Sequence, residues 1–593
     1  MRRPRLPETW PYLLVTIVGI WLTSPLWMAT TQVFGGILVS DGAQGPWFYD
    51  FVARALAKGQ SLSQLSDFNH PNPYPRQEEI PGVADAILAA PAAWLFQWPR
   101  QYGVAQAFAM LTNGLGFAWL ARSMGCRGLG TFVSGLLGLC CTPALKELHL
   151  ARVNAAWPGV LAAALAAWLS VLSPPTKQRR SGIWSQGLLR SLTAASIGGF
   201  AAAIYPPFVV MLVPAGLLLA MPRIRKTTPR EWAWALVAIG LALALLWPEL
   251  EGMRDSTRVS KPECIPGTCP TDVQPGGTIR ALVPLACILE GFCPRGTLAI
   301  PVSGWFRLLG DGQVVRMGSG LALGTWILAL LAPLRTPNRA VNLGLIAWMG
   351  VLGFLALGPC AALVEGRPIG AANWPVFRAF MPRIWCETAV LHDYGRFATA
   401  ATILAAPLSG LGIEALHDKL RERNSLLRHA ALVLAAIACT QAGIYTLGQL
   451  TNPDRWQPTP NLPTSAFLQQ AAVGPVAELP FDSGLQFISV MEAPKHPRIN
   501  PFNAVDSAPG SDPFLSWLYA LGRGRLNVDA PLPDHASRSG VRWVVFDPTR
   551  CRAPYMANQS PCDPRISAAL ESVLGEGQSL PQGAMAWEIS ASE

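Results

Sequence analysis

The stretch VSDGAQGPWFYDFVARAL, residues 39–56, follows an apolar run that begins near residue 12. Its reading decides the fold, because Asp41 is either an ordinary solvated loop residue or a functional group whose role depends on the side of a membrane it faces. It carries Asp41 directly after the apolar run, then Asp50 and Arg54 within an aromatic, faintly amphipathic segment. The rest of the chain chooses between the two. Of 593 residues, 51% are hydrophobic and only 14% are charged, against roughly 25% charged in ordinary soluble domains. Apolar runs close to the length that crosses roughly 30 Å of hydrocarbon recur through the first three-quarters of the sequence. The expected protein is polytopic, membrane-embedded and mainly α.

The formal net charge of +10 does not point to nucleic acid, because the basic residues are dispersed in short loops between apolar runs. They cluster at 2–5, 122–127, 177–180, 223–230, 335–339 and 419–428. Short basic loops face the cytoplasm, and this places the N-terminus there too. The opening RRPR with its apolar run lacks a small-residue cleavage site, so it reads as a retained first helix rather than a signal peptide.

Helices are expected at about 12–38, 103–121, 128–144, 157–173, 188–204, 207–221, 231–248, 317–333, 341–358, 397–416 and 430–449. These about eleven crossings put every basic cluster inside. The broken segment 82–98 (GVADAILAAPAAWLFQW) is read as an interfacial or re-entrant helix, since counting it as a span would invert every later loop. Residues 1–450 then form a transmembrane domain with outer loops at 39–102, 249–316 and 359–396. Residues 451–593 form a small outer α/β domain, with β-like runs VAELPF (476–481), VRWVVFD (541–547) and AMAWEIS (584–590), and a helical run ISAALESVL (566–574).

Cysteines agree with this sidedness. Cys264, Cys269, Cys287, Cys293, Cys360, Cys386, Cys551 and Cys562 all fall on the outer side, where disulfides persist. CIPGTC (264–269) and CRAPYMANQSPC (551–562) look like local staples, although connectivity cannot be read from spacing. A zinc site from Cys264/Cys269 and Cys287/Cys293 is the rival reading, with unsuitable spacings and no nearby His.

Four outer groups could carry chemistry. Asp41 is either a general base at the membrane surface or part of an ordinary SDG turn; behind it the loop DFNHPNPYPRQEEI (67–80) brings His70, Glu78 and Glu79. In KELHLARVNAAWPG (146–159), His149 and Arg152 share a face if helical, and Arg suits phosphate. The segment RAFMPRIWCETAVLHDYGRF (378–397) holds Arg383, His392 and Arg396. Cations on the outer side run against the positive-inside bias, which a polyanionic lipid phosphate would explain; a structural salt-bridge cluster is the alternative. The fourth, WPELEGMRDSTR (247–258), carries Glu249 at a helix end. No Walker loop, HExxH or GxSxG is present.

The order of parts resembles the GT-C-type integral membrane glycosyltransferases. A first apolar run ends in a lone Asp, and a long outer loop passes through NPYP to a Pro-interrupted apolar segment. Then follow LARSMGCRG, LCCTPALKELH, HLARVN, a WPG-initiated helix, GGFAAAIYPPF with Tyr205 at its turn, and a GRF that opens a helix. The terminal VAELPF, HPRINPFN (496–503) and GVRWVVFD (540–547) are similar to the outer domain of the bacterial branch linked to teichoic-acid glycosylation. The resemblance implies a transferase using a polyprenyl-phosphate-linked sugar outside the cytoplasmic membrane. Its acceptor is a glycan, lipid or protein. It implies Asp41 as acceptor-activating base, with Asp50 the second candidate, and His149, Arg152, Arg383, His392 and Arg396 as contacts to the donor phosphate. His70, Glu78, Glu79, Tyr205 and Glu249 would contact substrate. Many relatives pair acidic residues in the first loop; Gly42 and Ala43 follow Asp41 here, which speaks against a metal site, with Mg or Mn the divalent cation if one is held. Two other classes remain beside the enzyme: a non-catalytic scaffold of an envelope assembly, and a transporter. The latter expects broken or charged helices and a repeat.

Overall fold

The computed structural model of the protein describes residues 8–35, 43–67, 74–75, 83–149, 153–172, 183–204, 206–224, 227–256, 292–293, 316–317, 323–334, 338–356, 362–364, 367–368, 395–421, 425–481, 483–499, 512–522, 524–526, 529–552 and 563–590. The chain divides into two compact units. The first comprises residues 1–28, 81–85 and 104–453, the second residues 29–80, 86–103 and 454–593.

The first unit is a bundle of apolar helices. Among the described residues, six stretches are long and apolar enough to cross a membrane: Arg100–Ser123, Gly128–Leu145, Gly187–Ile204, Pro229–Trp247, Thr399–Leu420 and Leu432–Thr451. The second of these is interrupted at Cys140–Cys141, between helices Gly128–Leu139 and Thr142–His149. Shorter apolar helices include Trp10–Leu22, Pro158–Val171 and Arg339–Gly353. Helix Gly395–Arg421 is the centre of the bundle, almost wholly buried against Gly128–Leu139, Leu323–Leu330, Arg339–Ala356 and Ser425–Thr451. Its Glu414 side chain accepts the backbone N–H of Arg127 and of Gly130 (2.9 Å), satisfying donors that the start of the Gly128–Leu139 helix leaves open. Backbones meet at Gly410 and Gly130, where a Cβ on Gly410 would lie 2.3 Å from the Gly130 carbonyl oxygen. Small residues of this kind let helices approach closely where lipid removes the hydrophobic drive. At the periphery, Leu236, Leu243 and Trp247 of Pro229–Ser256 are exposed apolar side chains, as a lipid-facing helix requires.

The expected single helix over 12–38 is not formed. Helix Trp10–Leu22 ends at Thr23, a short helix Ser24–Met28 follows, and Gln32–Phe34 is a strand. Pro25 has no N–H to continue the ladder, and Thr30, Thr31 and Val33 are β-branched residues that favour extended chain. The 82–98 segment contains helix Ala84–Leu95, with Pro91 inside it. At roughly 1.5 Å per residue it is about 18 Å long, well short of the hydrocarbon thickness.

In the second unit, Gln32–Phe34 pairs antiparallel with Trp456–Pro458. A four-stranded sheet runs in the order Gln578–Ser579, Met585–Glu588, Trp543–Phe546, Val476–Leu479. The last two strands are parallel and the other pairings antiparallel. Every residue of Val476–Leu479 and Trp543–Phe546 is buried, so both faces are covered, as parallel strands demand. Phe514, Trp517 and Leu518 of helix Pro513–Gly522 and Ile566 and Leu570 of helix Arg565–Leu574 cover one face; Leu468 and Leu580 join Val545 on the other. The runs expected at 476–481, 541–547, 584–590 and 566–574 thus coincide with three strands and a helix. By contacts, the stretches 29–80 and 86–103 group with 454–593, whereas the hydropathy boundary falls near residue 451.

Of the cysteines expected on the outer side, Cys264, Cys269, Cys287, Cys360, Cys386 and Cys562 lie outside the described residues, and Cys293 and Cys551 are described by backbone alone. Cys126, Cys140, Cys141 and Cys439 are free thiols.

Candidate functional site

The segment after Asp41 becomes helix Gln44–Lys58. Trp47, Phe48, Phe51, Val52 and Ala55 recur at helical spacing and are buried. Gly59, at φ 63, ends the helix in a left-handed cap, and Lys58 lies in the last turn. This helix packs on Ser483–Glu492 of the same unit, with Trp47 against Phe487 at 5.1 Å between ring centroids.

Asp50 and Arg54, four residues apart, share one face of that helix. The Arg54 Nε donates to Asp50 Oδ2 at 2.7 Å. Its two Nη atoms donate to both oxygens of Asp67, Nη1 at 3.3 Å. Trp47 Nε1–H also donates to Asp67 Oδ2 (3.0 Å), and Gln101 Nε2 lies 3.4 Å from Asp50 Oδ1. Burial pushes the pKa of Asp50 above the usual carboxylate range; Arg54 and Gln101 pull it back and the nearby Asp67 pushes it up again. For Arg54, burial works against the charge, but Asp67 and Asp50 outweigh it and hold the guanidinium charged. A guanidinium thus fills the space between two carboxylates that a divalent cation would need, so this pair does not fit Mg or Mn. Among the described residues, no three His, Cys, Asp or Glu side chains are grouped to hold a metal.

A second charged group lies in the core of the same unit. Glu478, on the Val476–Leu479 strand, accepts from Arg498 Nε at Oε2 (2.8 Å) and from Ser489 Oγ at Oε1 (2.6 Å), and Arg550 Nη2 stands 3.0 Å from the same Oε1. Arg498 also donates to Ser489 Oγ (2.8 Å) and to the His496 carbonyl. All of these side chains are buried. Burial pushes the Glu478 pKa up, but Arg498 and Arg550 outweigh it and hold the group ionised. The backbone N–H of Arg498 donates to the Asp67 carbonyl at 2.8 Å, which ties this group to the first.

Of the residues singled out in the sequence, Asp41, His70, Glu78, Glu79, Arg152, Tyr205, Arg383 and His392 lie outside the described residues. Arg396 and Glu249 are placed by backbone only, in helices Gly395–Arg421 and Pro229–Ser256. His149 is the last residue of helix Thr142–His149 and is partly buried. Glu147, two residues before it, is a buried carboxylate in the first unit. Asp67, Gln101 and Glu147 were not marked by the sequence. Asp67 opens the quoted DFNHPNPYPRQEEI stretch, and nothing in the sequence around it marks it as a partner of Arg54.

No protein-family model and no curated protein sequence matches the chain. Solved structures do. The oligosaccharyltransferase of Archaeoglobus fulgidus in its apo form superposes at a TM-score of 0.50 with 14% identity, over 98% of this chain and 75% of that one. The arabinofuranosyltransferase AftD from Mycobacteria superposes at a TM-score of 0.52 with 12% identity, over 99% of this chain and 40% of that one. The fold is the GT-C fold. At such identities the likeness is one of fold. Within this GT-C fold the multi-pass bundle and a sheet-containing second unit account for nearly the whole chain.

Proposed function

We propose that the protein is a glycosyltransferase of the bacterial cytoplasmic membrane. It would move a sugar from a polyprenyl-phosphate-linked donor to a glycan, lipid or protein acceptor on the outer face. The observation that carries this reading is the GT-C fold along nearly the whole chain, shared with an oligosaccharyltransferase and an arabinofuranosyltransferase. A lipid-linked donor is favoured over a soluble nucleotide sugar, because the inner loops are short and hold no nucleotide-binding signature. Cations in the outer segments suit a lipid phosphate.

In this reading Asp41 takes the proton of the acceptor hydroxyl as that oxygen attacks the anomeric carbon. The anomeric C–O bond to phosphate breaks, and the leaving phosphate takes the electron pair. Fixed cations stabilise its charge, supplied by His149, Arg152, Arg383, His392 and Arg396. His70, Glu78, Glu79, Tyr205 and Glu249 are proposed to contact the sugar or acceptor. Asp50, already bonded to Arg54 and Gln101, stands as the second carboxylate beside this chemistry.

The test is sugar transfer from a synthetic polyprenyl-phosphate donor by the full chain in proteoliposomes. Asp41→Asn is expected to lower the rate by about 10²–10⁴-fold, the usual contribution of a general base. Transfer unaffected by that change overturns the role of Asp41. No transfer by the wild type with any lipid-phosphate donor would favour a non-catalytic membrane scaffold.

A further inference from the structure

Within the second unit, Arg54 divides its five N–H donors unequally. One edge goes to Asp50 on its own helix, through Nε at 2.7 Å, and the forked end goes to both oxygens of Asp67. A planar guanidinium strongly prefers a two-point fit to one carboxylate, and here Asp67 is that carboxylate. Asp67 is itself held from two more directions: Trp47 Nε1–H donates to its Oδ2, and its main-chain carbonyl accepts the N–H of Arg498. From Arg498 the contacts continue to Glu478 and Arg550 in the core of the sheet. Acids and arginines alternate from the Gln44–Lys58 helix into the C-terminal segment.

We infer that Asp67 is a positioning residue for the transfer proposed above: it draws the fork of Arg54 off Asp50 and anchors the first-loop helix to the C-terminal segment through Arg498. Asp50 is thereby left with one guanidinium edge and a like charge nearby, which keeps its carboxylate more basic than a full ion pair would. The groups that face Asp50 are Arg54 on its own helix, Asp67 and Gln101. The packed Ser483–Glu492 helix contributes Phe487; its one titratable side chain, Glu492, does not act on Asp50. Asp67 is therefore the group whose removal should be felt at Asp50.

The inference rests on the glycosyl-transfer reading for its purpose but is tested by a readout that needs no substrate. The full chain in nanodiscs is titrated by infrared difference spectroscopy, with the Asp50 carboxyl band identified by its loss in Asp50→Asn. In Asp67→Asn, which keeps an acceptor for Trp47, the band is expected to titrate at lower pH, because a neighbouring negative charge is gone and Arg54 can turn wholly to Asp50. In Arg54→Gln it is expected to titrate at higher pH. Opposite shifts support the inference; an Asp50 band unmoved in whichever of the two variants folds overturns it. A merely structural role would lower the unfolding temperature of both variants and leave the titration in place. With lipid-linked donor present, Asp67→Asn is expected to lose transfer on the order of tenfold, as displaced groups near a reacting centre do. Absent transfer in the wild type would sink the transferase reading alone, since the Asp50 titration is judged separately.

Discussion

Trp47 is fully buried in the second unit, its ring against Phe51 and Phe487 and its Nε1–H on Asp67. Two effects therefore combine at one side chain, and a pair of substitutions separates them. Trp47→Phe keeps most of the aromatic contact and leaves Asp67 short of one donor; it should cost about 2 kcal/mol, as for a buried hydrogen bond to a charged group. Trp47→Ala also empties the space between the rings and should cost about 3–5 kcal/mol. Calorimetric unfolding of the purified protein distinguishes the two, and equal losses would show that the hydrogen bond contributes nothing. At this scale the sequence was partly legible. The faintly amphipathic run holding Asp50 and Arg54 is a helix, and the two side chains pair across one turn of it. The partner that takes most of Arg54 was not legible, because Asp67 lies 13 residues along the chain on a loop with no periodicity to place it.

Elements were read well where hydropathy has one meaning. The central helix Gly395–Arg421 and the strands Val476–Leu479 and Trp543–Phe546 stand where apolar periodicity put them. Hydropathy predicts one helix over 12–38 because it does not register the break at Ser24-Pro25 or the β-branched residues beyond it. Helix contacts were also invisible in advance. Gly130 and Gly410 are 280 residues apart in number, yet their backbones cross so closely that a Cβ on either would collide with the other's carbonyl oxygen. Gly410→Ala should push the two helices apart and lower stability by about 1–3 kcal/mol. Gly443→Ala, in the Ser425–Thr451 helix where a Cβ would meet nothing within 4 Å, is expected to be neutral or slightly stabilising. Thermal unfolding of both variants in one detergent checks the contrast, and similar behaviour of the two would dismiss the crossing as the cause.

For the molecule as a whole, the charges sort into two kinds. Arginines and lysines are dispersed in short loops between apolar runs, whereas Glu478, Arg498 and Arg550 are concentrated inside the sheet-containing unit. The pH response of that unit follows from the sign of the Glu478 shift. Its folded pKa is held below its ordinary value of 4.5, so its ion pairs stabilise fully above that value. Their contribution is lost as pH falls below 4.5 through the folded pKa. Unfolding temperature should therefore drop on acidification in this window. Glu478→Gln should abolish that part of the slope and cost about 3–5 kcal/mol at neutral pH, because two buried arginines lose their shared carboxylate. An unchanged acid slope in the variant would assign the acid sensitivity to other groups.

The membrane bundle and the strands of the terminal sheet were determined by the sequence alone, because hydropathy and periodicity act between neighbours in the chain. The tertiary structure decided that the stretch after Asp41 packs with residues beyond 453, that Arg54 belongs chiefly to Asp67, and that Asp67 reaches Arg498. Those contacts join residues from 13 to more than 400 positions apart. Only packing, which excludes water and makes each buried charge seek a partner, can choose among so many distant candidates.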